Sequence, residues 1–402
     1  MTLQEELQWR GFINQSTFTD LADLNTPRTF YIGVDPSADS MTIGNLAAMM
    51  LARHFISYGY KAILLVGGAT GMIGDPDGKK QERDLRNRQV VEQNAAALAA
   101  QFATIFDGEP FEIVNNNDWF QSIGFVDFLH QVGKHVSMTQ LLDRDFVQQR
   151  IGEGGSGISY AEFSYSLMQG YDFLHLYRTK GATLQLCGAD QWGNSVTGVS
   201  LIRKLADGEA HVFSTPLIIN KQTGVKFGKS EGGAVWLDGT RTSPYKFYQF
   251  WLNIDDVMAK DLIKIYTFLP QDVIAELTAQ HEAEPASRLL QKTLAREITT
   301  IIHGQERAEA VVQASQILFT KGEFTLTDDV RQVLAGELPV VPVGTRVVEA
   351  LVQAGVAGSN GQARRLLADG AVSVSGRKLA EDETLATPSL IKKGKNSFVL
   401  VQ

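Results

Sequence analysis

The run "KAILLVGGA" at positions 61–69 constrains this chain most. A strand with one wet face alternates apolar and polar residues. This run does not alternate, so it reads as a strand covered on both faces. "RTFYIGV" at 28–34 reads as a strand before it, and a helix over about 44–58 joins the two, with Leu46, Met49, Met50, Ala52 and Phe55 as its apolar positions. Strand, helix and strand in that order place the two strands side by side and parallel. The pattern continues with a helix near 81–104, a strand at "FEIVNN", a helix near 122–133, and "ATLQLCGADQWGN" as a strand running into a loop. The first 238 residues therefore predict an α/β domain built on an open parallel sheet.

At 402 residues the chain exceeds one ordinary core. From 243 to about 318 the pattern is almost wholly helical, and several segments open on Ser, Asp, Pro or Glu, which favour helix starts. The expected boundaries are 1–238, a helical domain over 239–320, a linker over 321–340 that carries Pro339, and an α+β unit over 341–402. In that last unit "RVVEALVQAG" and "NGQARRLLADG" read as helices, "AVSVSG" and "SFVLVQ" as strands.

Composition excludes several classes. Hydrophobic residues make up 44% and charged residues 20%, as in a soluble globular protein. No run of 18 apolar residues is present, which argues against a membrane span. The N-terminus "MTLQEELQWRGFINQ" lacks the apolar centre of a secretory signal. Cys187 is the single cysteine, so neither an intrachain disulfide nor a cysteine-rich zinc site is expected. These features favour the cytoplasm. The net charge is -8, yet residues 341–402 carry eight Lys and Arg against five Asp and Glu, a net +3 that leaves -11 for the remainder. The tail is the basic part of an acidic protein.

Three stretches carry chemistry. In "DPSADSMTIGNLAAMM" a helix starting near Gly44 points free N–H groups and its positive dipole end at the strand edge, where an anion binds without a charged side chain. Gly44 lets a flat ring or ribose approach the backbone, and Thr42 and Asn45 add a hydroxyl and an amide. A plain helix cap would use the same residues. "GGATGMIGDPDGKKQER" leaves a strand through glycines and presents Asp75, Lys79, Lys80 and Arg83, but it matches neither the dinucleotide fingerprint nor the P-loop. "KFGKSEGG" is a basic glycine-containing loop whose lysines suit a pyrophosphate leaving group. Either of the last two could be a solvated surface loop.

In order and spacing these segments resemble the class I aminoacyl-tRNA synthetases and, within that class, the bacterial tyrosyl-tRNA synthetase family. "YIGVDPSADSMTIGNL" is similar to the first class signature, a His-x-Gly-His loop, and "KFGKS" to the second, the Lys-Met-Ser-Lys-Ser loop. "LVGGATGMIGDPDGKK", "FSYSLMQGYDFLHLY" and "CGADQWGN" resemble the substrate-pocket segments, and "GQARRLLADGAVSVSGRKL" resembles a small RNA-binding domain first known from a ribosomal protein. The resemblance spans essentially the whole chain. It implies a Rossmann-like catalytic domain, a helical anticodon-binding domain and a C-terminal RNA-binding domain.

It also implies a two-step ligase reaction. Tyrosine and ATP, with magnesium accompanying the ATP and no tightly bound metal, give tyrosyl-adenylate, and the tyrosyl group then passes to tRNA(Tyr). By motif position, Tyr31 and Asp172 would bond the substrate phenol, and Tyr165, Gln169 and Asp75 its ammonium group. Gln191 would lie near its carboxylate. Gly188 and Asp190 would bind the ATP ribose, the backbone at Asp35 would pass the α-phosphate, and Ser37 and Thr42 would face the outer phosphates. Lys226, Lys229 and Ser230 would close over those phosphates, with Lys79 and Arg83 on a second loop. On a helix, Tyr165, Gln169 and Asp172 fall at i, i+4 and i+7, which puts them on one face. Arg364, Arg365, Arg377 and Lys378, with Lys392, Lys393 and Lys395, would form the RNA-facing surface. A homodimer through the insert near 120–165 is also implied.

The chain departs from the family at its first signature. Thr42 and Asn45 stand where histidines are usual, Ile32 where many relatives have cysteine, and Ala48 replaces a common polar residue. Neutral donors can serve where histidine only donates hydrogen bonds, and each lost neutral bond costs about 0.5–1.5 kcal/mol. Two other functions stay open at this point. One is a non-enzymatic relative that binds RNA or regulates. The other is an enzyme that activates tyrosine for a different acceptor.

Overall fold

The computed structural model describes residues 1–76, 87–142, 144–219, 227–230, 233–319, 322–394 and 396–402. It divides into two compact units, Met1–Asp238 with Asp255–Pro285, and Gly239–Ile254 with Ala286–Gln402. Among the described residues no helix is long and apolar enough to cross a membrane.

The first unit is built on six strands: β1 (Gln15–Ser16), β2 (Thr29–Val34), β3 (Lys61–Val66), β4 (Phe111–Asn115), β5 (Ala182–Gly188) and β6 (His211–Thr215). Their spatial order is β1-β6-β5-β2-β3-β4. β2 pairs in parallel with β3 and β5, β3 with β4, and β5 with β6, whereas β1 runs antiparallel on β6. The expected parallel sheet is therefore found with one antiparallel edge strand. β3 buries every residue after Lys61, as its unbroken apolar run demands. From β2 the chain goes to β3 on one side, and β5 later takes the other. A crevice opens at such a reversal, outside the carboxyl ends of the strands.

Helix Ile43–Ser57 follows β2 and buries Leu46, Met49, Met50 and Phe55. Helix Tyr160–Lys180 is started by Ser159, whose hydroxyl accepts from the amide of Glu162, and stopped by Gly181 in the left-handed region at φ 67°. It carries Tyr165, Gln169 and Asp172 across the crevice.

Four sequence expectations change. After β5 the chain does not enter a loop but a short 3₁₀ turn, Ala189–Gln191, and then helix Trp192–Ala206, whose buried Asn194, Ser195 and Thr197 obscure the apolar periodicity. The helix near 122–133 is two pieces, Phe125–Gln131 and Gly133–His135. Helices Asp256–Tyr266 and Gln271–Ala283, assigned to a helical domain by their period, belong to the first unit. The Arg10 guanidinium fixes the end of the first of them through the carbonyls of Lys264, Thr267 and Leu269 at 2.7, 2.9 and 3.0 Å. Finally, the stretch read as a linker contains helix Asp328–Ala335, with Val330 and Leu334 fully buried.

The second unit packs helices Pro244–Leu252, Leu289–His303 and Gln305–Phe319 with that helix and a five-stranded sheet. The sheet runs Arg377–Lys378, Val372–Val374, Ser389–Lys393, Ser397–Val401 and Val340–Val341 in spatial order. One face covers helices Val347–Gln353 and Asn360–Ala368 through Val347, Leu351, Ala363, Leu367 and Val399. From the same sheet Leu390 and Leu400 pack with Ala314, Leu318, Val330 and Leu334. The Lys392 ammonium donates to the Leu318 carbonyl at 2.8 Å, at the end of helix Gln305–Phe319 where the dipole favours a cation.

Candidate active site

The carboxyl ends of β2, β3, β4 and β5 converge on one polar network. Asp35, just past β2, accepts from the Thr70 hydroxyl at 2.7 Å and from the Tyr165 phenol at 2.9 Å. Thr70 in turn accepts from the Asn116 amide at 2.9 Å, and that amide also donates to Asp172 Oδ2 at 3.1 Å. Asp172 Oδ1 accepts from the Trp119 indole at 2.9 Å. Asn116 is fully buried, and its Oδ1 accepts from the Ala69 amide at 2.7 Å, so it also fixes the glycine turn after β3. Gly67 and Gly68 are required in that turn. A Cβ on Gly67 would lie 2.1 Å from Asp35 Oδ1, and one on Gly68 would lie 2.2 Å from Asn115 Oδ1.

Asp172 is 2% exposed, and burial pushes its carboxyl up to about 8, against the pull of its bonds to Asn116 and Trp119 and helped by the nearby charge of Asp35. Tyr31 lies close by, its phenol raised well above the ordinary value by burial first and then by Asp172. Among the described residues, the buried Tyr31 hydroxyl and Gln169 Oε1 here have no hydrogen-bond partner. Leaving such atoms unpaired is costly, and the arrangement suits a ligand carrying a hydroxyl or ammonium group. Tyr165, raised by burial and then by Asp35 and Asp75, stays a neutral donor.

A second cluster lies beside it. The Gln191 amide donates to Asp75 Oδ2 at 2.5 Å, and Asn194 Nδ2 reaches Asp75 Oδ1 and Gln191 Oε1, both at 3.4 Å. Arg144 orders this cluster from behind, donating to Asn194 Oδ1 at 2.7 Å, Ser166 Oγ at 2.5 Å, the Gly193 carbonyl at 2.6 Å and Thr197 Oγ1 at 2.9 Å. Gly188 ends β5, and a Cβ there would lie 2.7 Å from Asp190 Oδ1, so the glycine leaves room for that carboxylate. Cys187 is buried, and burial pushes its thiol up to about 12, which removes it as a nucleophile near neutral pH.

At the start of helix Ile43–Ser57, Asn45 Oδ1 accepts from both the Thr42 amide at 3.0 Å and the Thr42 hydroxyl at 2.9 Å. The two residues at the signature positions are thus bonded to each other. Ser37 and Gly44 are exposed. Strand residues Lys229–Ser230 pair with Gly233–Ala234, while their side chains and all of Lys79, Arg83 and Lys226 lie outside the described residues.

The profile of the family described as tRNA synthetases class I (W and Y) matches residues 23–320, and that of the tyrosine–tRNA ligase SYY-like C-terminal domain matches residues 329–402. The tyrosine–tRNA ligase of Bacteroides fragilis is 41% identical over 428 residues, covering 100% of this chain and 99% of that protein. The chain belongs to the tyrosine–tRNA ligase family. A second member, from Flavobacterium johnsoniae, is 42% identical over 420 residues, covering 100% of this chain and 96% of its own. Among solved structures, a C-terminally truncated Aspergillus nidulans mitochondrial tyrosyl-tRNA synthetase is similar with a TM-score of 0.71 at 28% identity, covering 79% of this chain and 94% of that one. The C-terminal family match begins twelve residues before the domain boundary expected at 341, at the helix read as linker.

As a tyrosine–tRNA ligase family member the chain carries a set of partners that motif reading missed: Thr70, Asn116, Trp119, Arg144 and Asn194. Trp119 and Asn116 sit just after β4 and could have been suspected from that place alone, since loops at strand carboxyl ends gather ligands. In the tail, Arg364, Arg365, Arg377 and Lys378 are exposed, and Arg377 pairs with Glu383. Lys392 donates to the Leu318 carbonyl and is half-buried, and Lys395 lies outside the described residues.

Proposed function

We propose that this chain activates L-tyrosine with ATP and transfers the tyrosyl group to the terminal ribose of tRNA(Tyr). The observation that carries the specificity is the buried pair of partnerless atoms, Tyr31 hydroxyl and Gln169 Oε1, beside an Asp172 carboxylate oriented by Asn116 and Trp119. A phenol satisfies Tyr31 and Asp172. Phenylalanine leaves them unpaired, and a site built around a hydroxyl rejects the analogue that lacks it.

In this reading Tyr165, Gln169 and Asp75 hold the ammonium group and Gln191 the carboxylate end. A carboxylate oxygen of tyrosine attacks the α-phosphorus, and the bond from that phosphorus to the bridging oxygen breaks, releasing pyrophosphate. A ribose hydroxyl of the tRNA then attacks the tyrosyl carbonyl carbon and AMP leaves. No side-chain nucleophile is needed, so the protein contributes position and charge stabilisation. Thr42, Asn45, Ser37 and Gly44 serve the phosphates and nucleotide, with Asp35 at the α-phosphate. Gly188 and Asp190 serve the ribose, and Lys226, Lys229, Ser230, Lys79 and Arg83 the leaving group. Among the described residues no cluster of three His, Cys, Asp or Glu side chains could hold a metal. In this reading magnesium accompanies ATP and would offset the charge of its phosphate oxygens.

The tail surface of Arg364, Arg365, Arg377 and Lys378 contacts tRNA phosphates in this reading, and translation sets the cytoplasm as its place. A homodimer forms through the insert. In support, Phe125 and Val126 are 66% and 75% exposed, and Val126 lines an apolar groove of about 500 Å³ together with Leu129, Val136, Met138, Leu141, Phe163 and Leu167. The test is tyrosine-dependent exchange of labelled pyrophosphate into ATP, with phenylalanine as control. Exchange with tyrosine alone is expected. Its absence from folded protein at high ATP would leave an RNA-binding relative in place of an enzyme.

A further inference from the structure

One buried residue touches both loops assigned to ATP and belongs to neither. Tyr266 ends helix Asp256–Tyr266 and is fully buried. Its hydroxyl donates to the carbonyl of Ile43 at 2.8 Å, between Thr42 and Gly44 of the first signature. Its ring lies 6.5 Å, centroid to centroid, from the ring of Phe227 in the second signature. The two loops already meet at this point. A Cβ on Gly228, at φ 108°, would lie 3.2 Å from Ile43 Cγ1, and a Cβ on Gly44 would lie 3.9 Å from the Phe227 carbonyl. The Ile43 amide donates to the Val235 carbonyl at 3.1 Å, and the Val235 amide to the Gly228 carbonyl at 3.0 Å.

We propose that Tyr266 is a positioning residue for the ATP half of the reaction, setting the spacing between the Thr42–Asn45 loop and the Phe227–Lys229 loop. The inference rests on the ligase reading above. Charge stabilisation of a leaving pyrophosphate depends on donors from both loops lying at fixed separation, because displacement of a donor by a fraction of an ångström weakens its bond. Ile43 is tied to two different segments, to Tyr266 through its carbonyl and to Val235 through its amide. Tyr266 is itself anchored. Arg10, 4% exposed, grips the carbonyls of Lys264, Thr267 and Leu269 around it, and the Thr267 hydroxyl donates back to the Ile263 carbonyl at 2.6 Å. The tyrosine pocket shares none of these contacts.

The test is Tyr266→Phe, which deletes the hydroxyl and keeps the ring, beside Tyr266→Leu, which deletes both contacts. Pyrophosphate exchange is measured while ATP and tyrosine are varied separately. For Tyr266→Phe the expected result is a roughly two- to tenfold loss in kcat/KM for ATP, the span of one neutral hydrogen bond, with KM for tyrosine unchanged. Tyr266→Leu is expected to lose more in the ATP parameter while direct tyrosine binding persists, which also shows that the variant is folded. An unchanged ATP parameter in Tyr266→Phe, or equal losses for ATP and tyrosine, would overturn the proposal while wild-type exchange leaves the ligase reading intact. Wild-type protein without exchange would overturn both.

Discussion

The Tyr165 phenol donates to Asp35 Oδ2 at 2.9 Å, so a residue of the proposed amino-acid pocket bonds directly to the turn at the end of β2 where ATP is expected. The two halves of the proposed site are thereby mechanically joined. Tyr165→Phe removes that bond and leaves Asp35 with Thr70. A hydrogen bond to a charged group contributes about 1.5–3 kcal/mol, so kcat/KM for tyrosine should fall roughly ten- to hundredfold. Steady-state exchange with varied tyrosine reads this directly, and a loss below twofold would show that the bond is idle.

Gly67→Ala should leave a soluble protein that scarcely activates tyrosine. The new methyl would sit 2.1 Å from Asp35 Oδ1 and 2.4 Å from Thr70 Oγ1, so the Asp35–Thr70 bond has to open. Overpacking of this kind costs about 1–3 kcal/mol of stability. Thermal unfolding and exchange together separate the two effects: activity should fall far more than the midpoint shift explains.

Asp172 predicts a proton release. Its carboxyl is pushed up to about 8 in the folded protein, whereas an unfolded carboxyl has its ordinary value of 3.8. Between those values the folded state binds the extra proton. The stability linked to Asp172 is therefore fully present below about pH 4 and declines as pH rises towards 8. A tyrosine phenol donating to the carboxylate favours its ionised form. Near pH 7 tyrosine binding should thus expel a fraction of a proton. Calorimetry in buffers of different ionisation enthalpy measures it, and Asp172→Asn should abolish the buffer dependence.

Thr42 and Asn45 should act as one unit. Each alanine substitution is expected to lower the exchange rate by up to about tenfold, one neutral hydrogen bond's worth. Because the two side chains bond to each other, the double variant should lose less than the product of the singles. Multiplicative losses would mean that each meets the phosphates independently.

Much of this arrangement was legible beforehand. The unbroken apolar run of β3 fixed the sheet's centre, and the i, i+4, i+7 spacing set Tyr165, Gln169 and Asp172 on one helix, as found. Partnerships across long stretches of chain were not legible. Asn116 reaches Asp172 over 56 positions, and Arg144 reaches Asn194 over 50, and local sequence carries no trace of either bond. The allegiance of helix Asp256–Tyr266 was hidden for the same reason: its apolar period says that one face is buried but not against which body. Residues 321–340 looked like a linker because Pro339 and scattered polar residues mask Val330 and Leu334, whose burial depends on Leu390 and Leu400 far along the chain.

Leu318 and Leu400 share one apolar cluster, and Lys392 bolts the sheet to the end of a helix more than seventy positions earlier in the chain. The basic tail is therefore not a bead on a string. It is one packed body with the helical part of the same unit, so its exposed basic residues hold fixed positions relative to those helices. Cutting the chain at 340 would do more than subtract a basic surface, since Ala314, Leu318 and Leu334 would lose their cover and the remaining helices should unfold at a lower temperature.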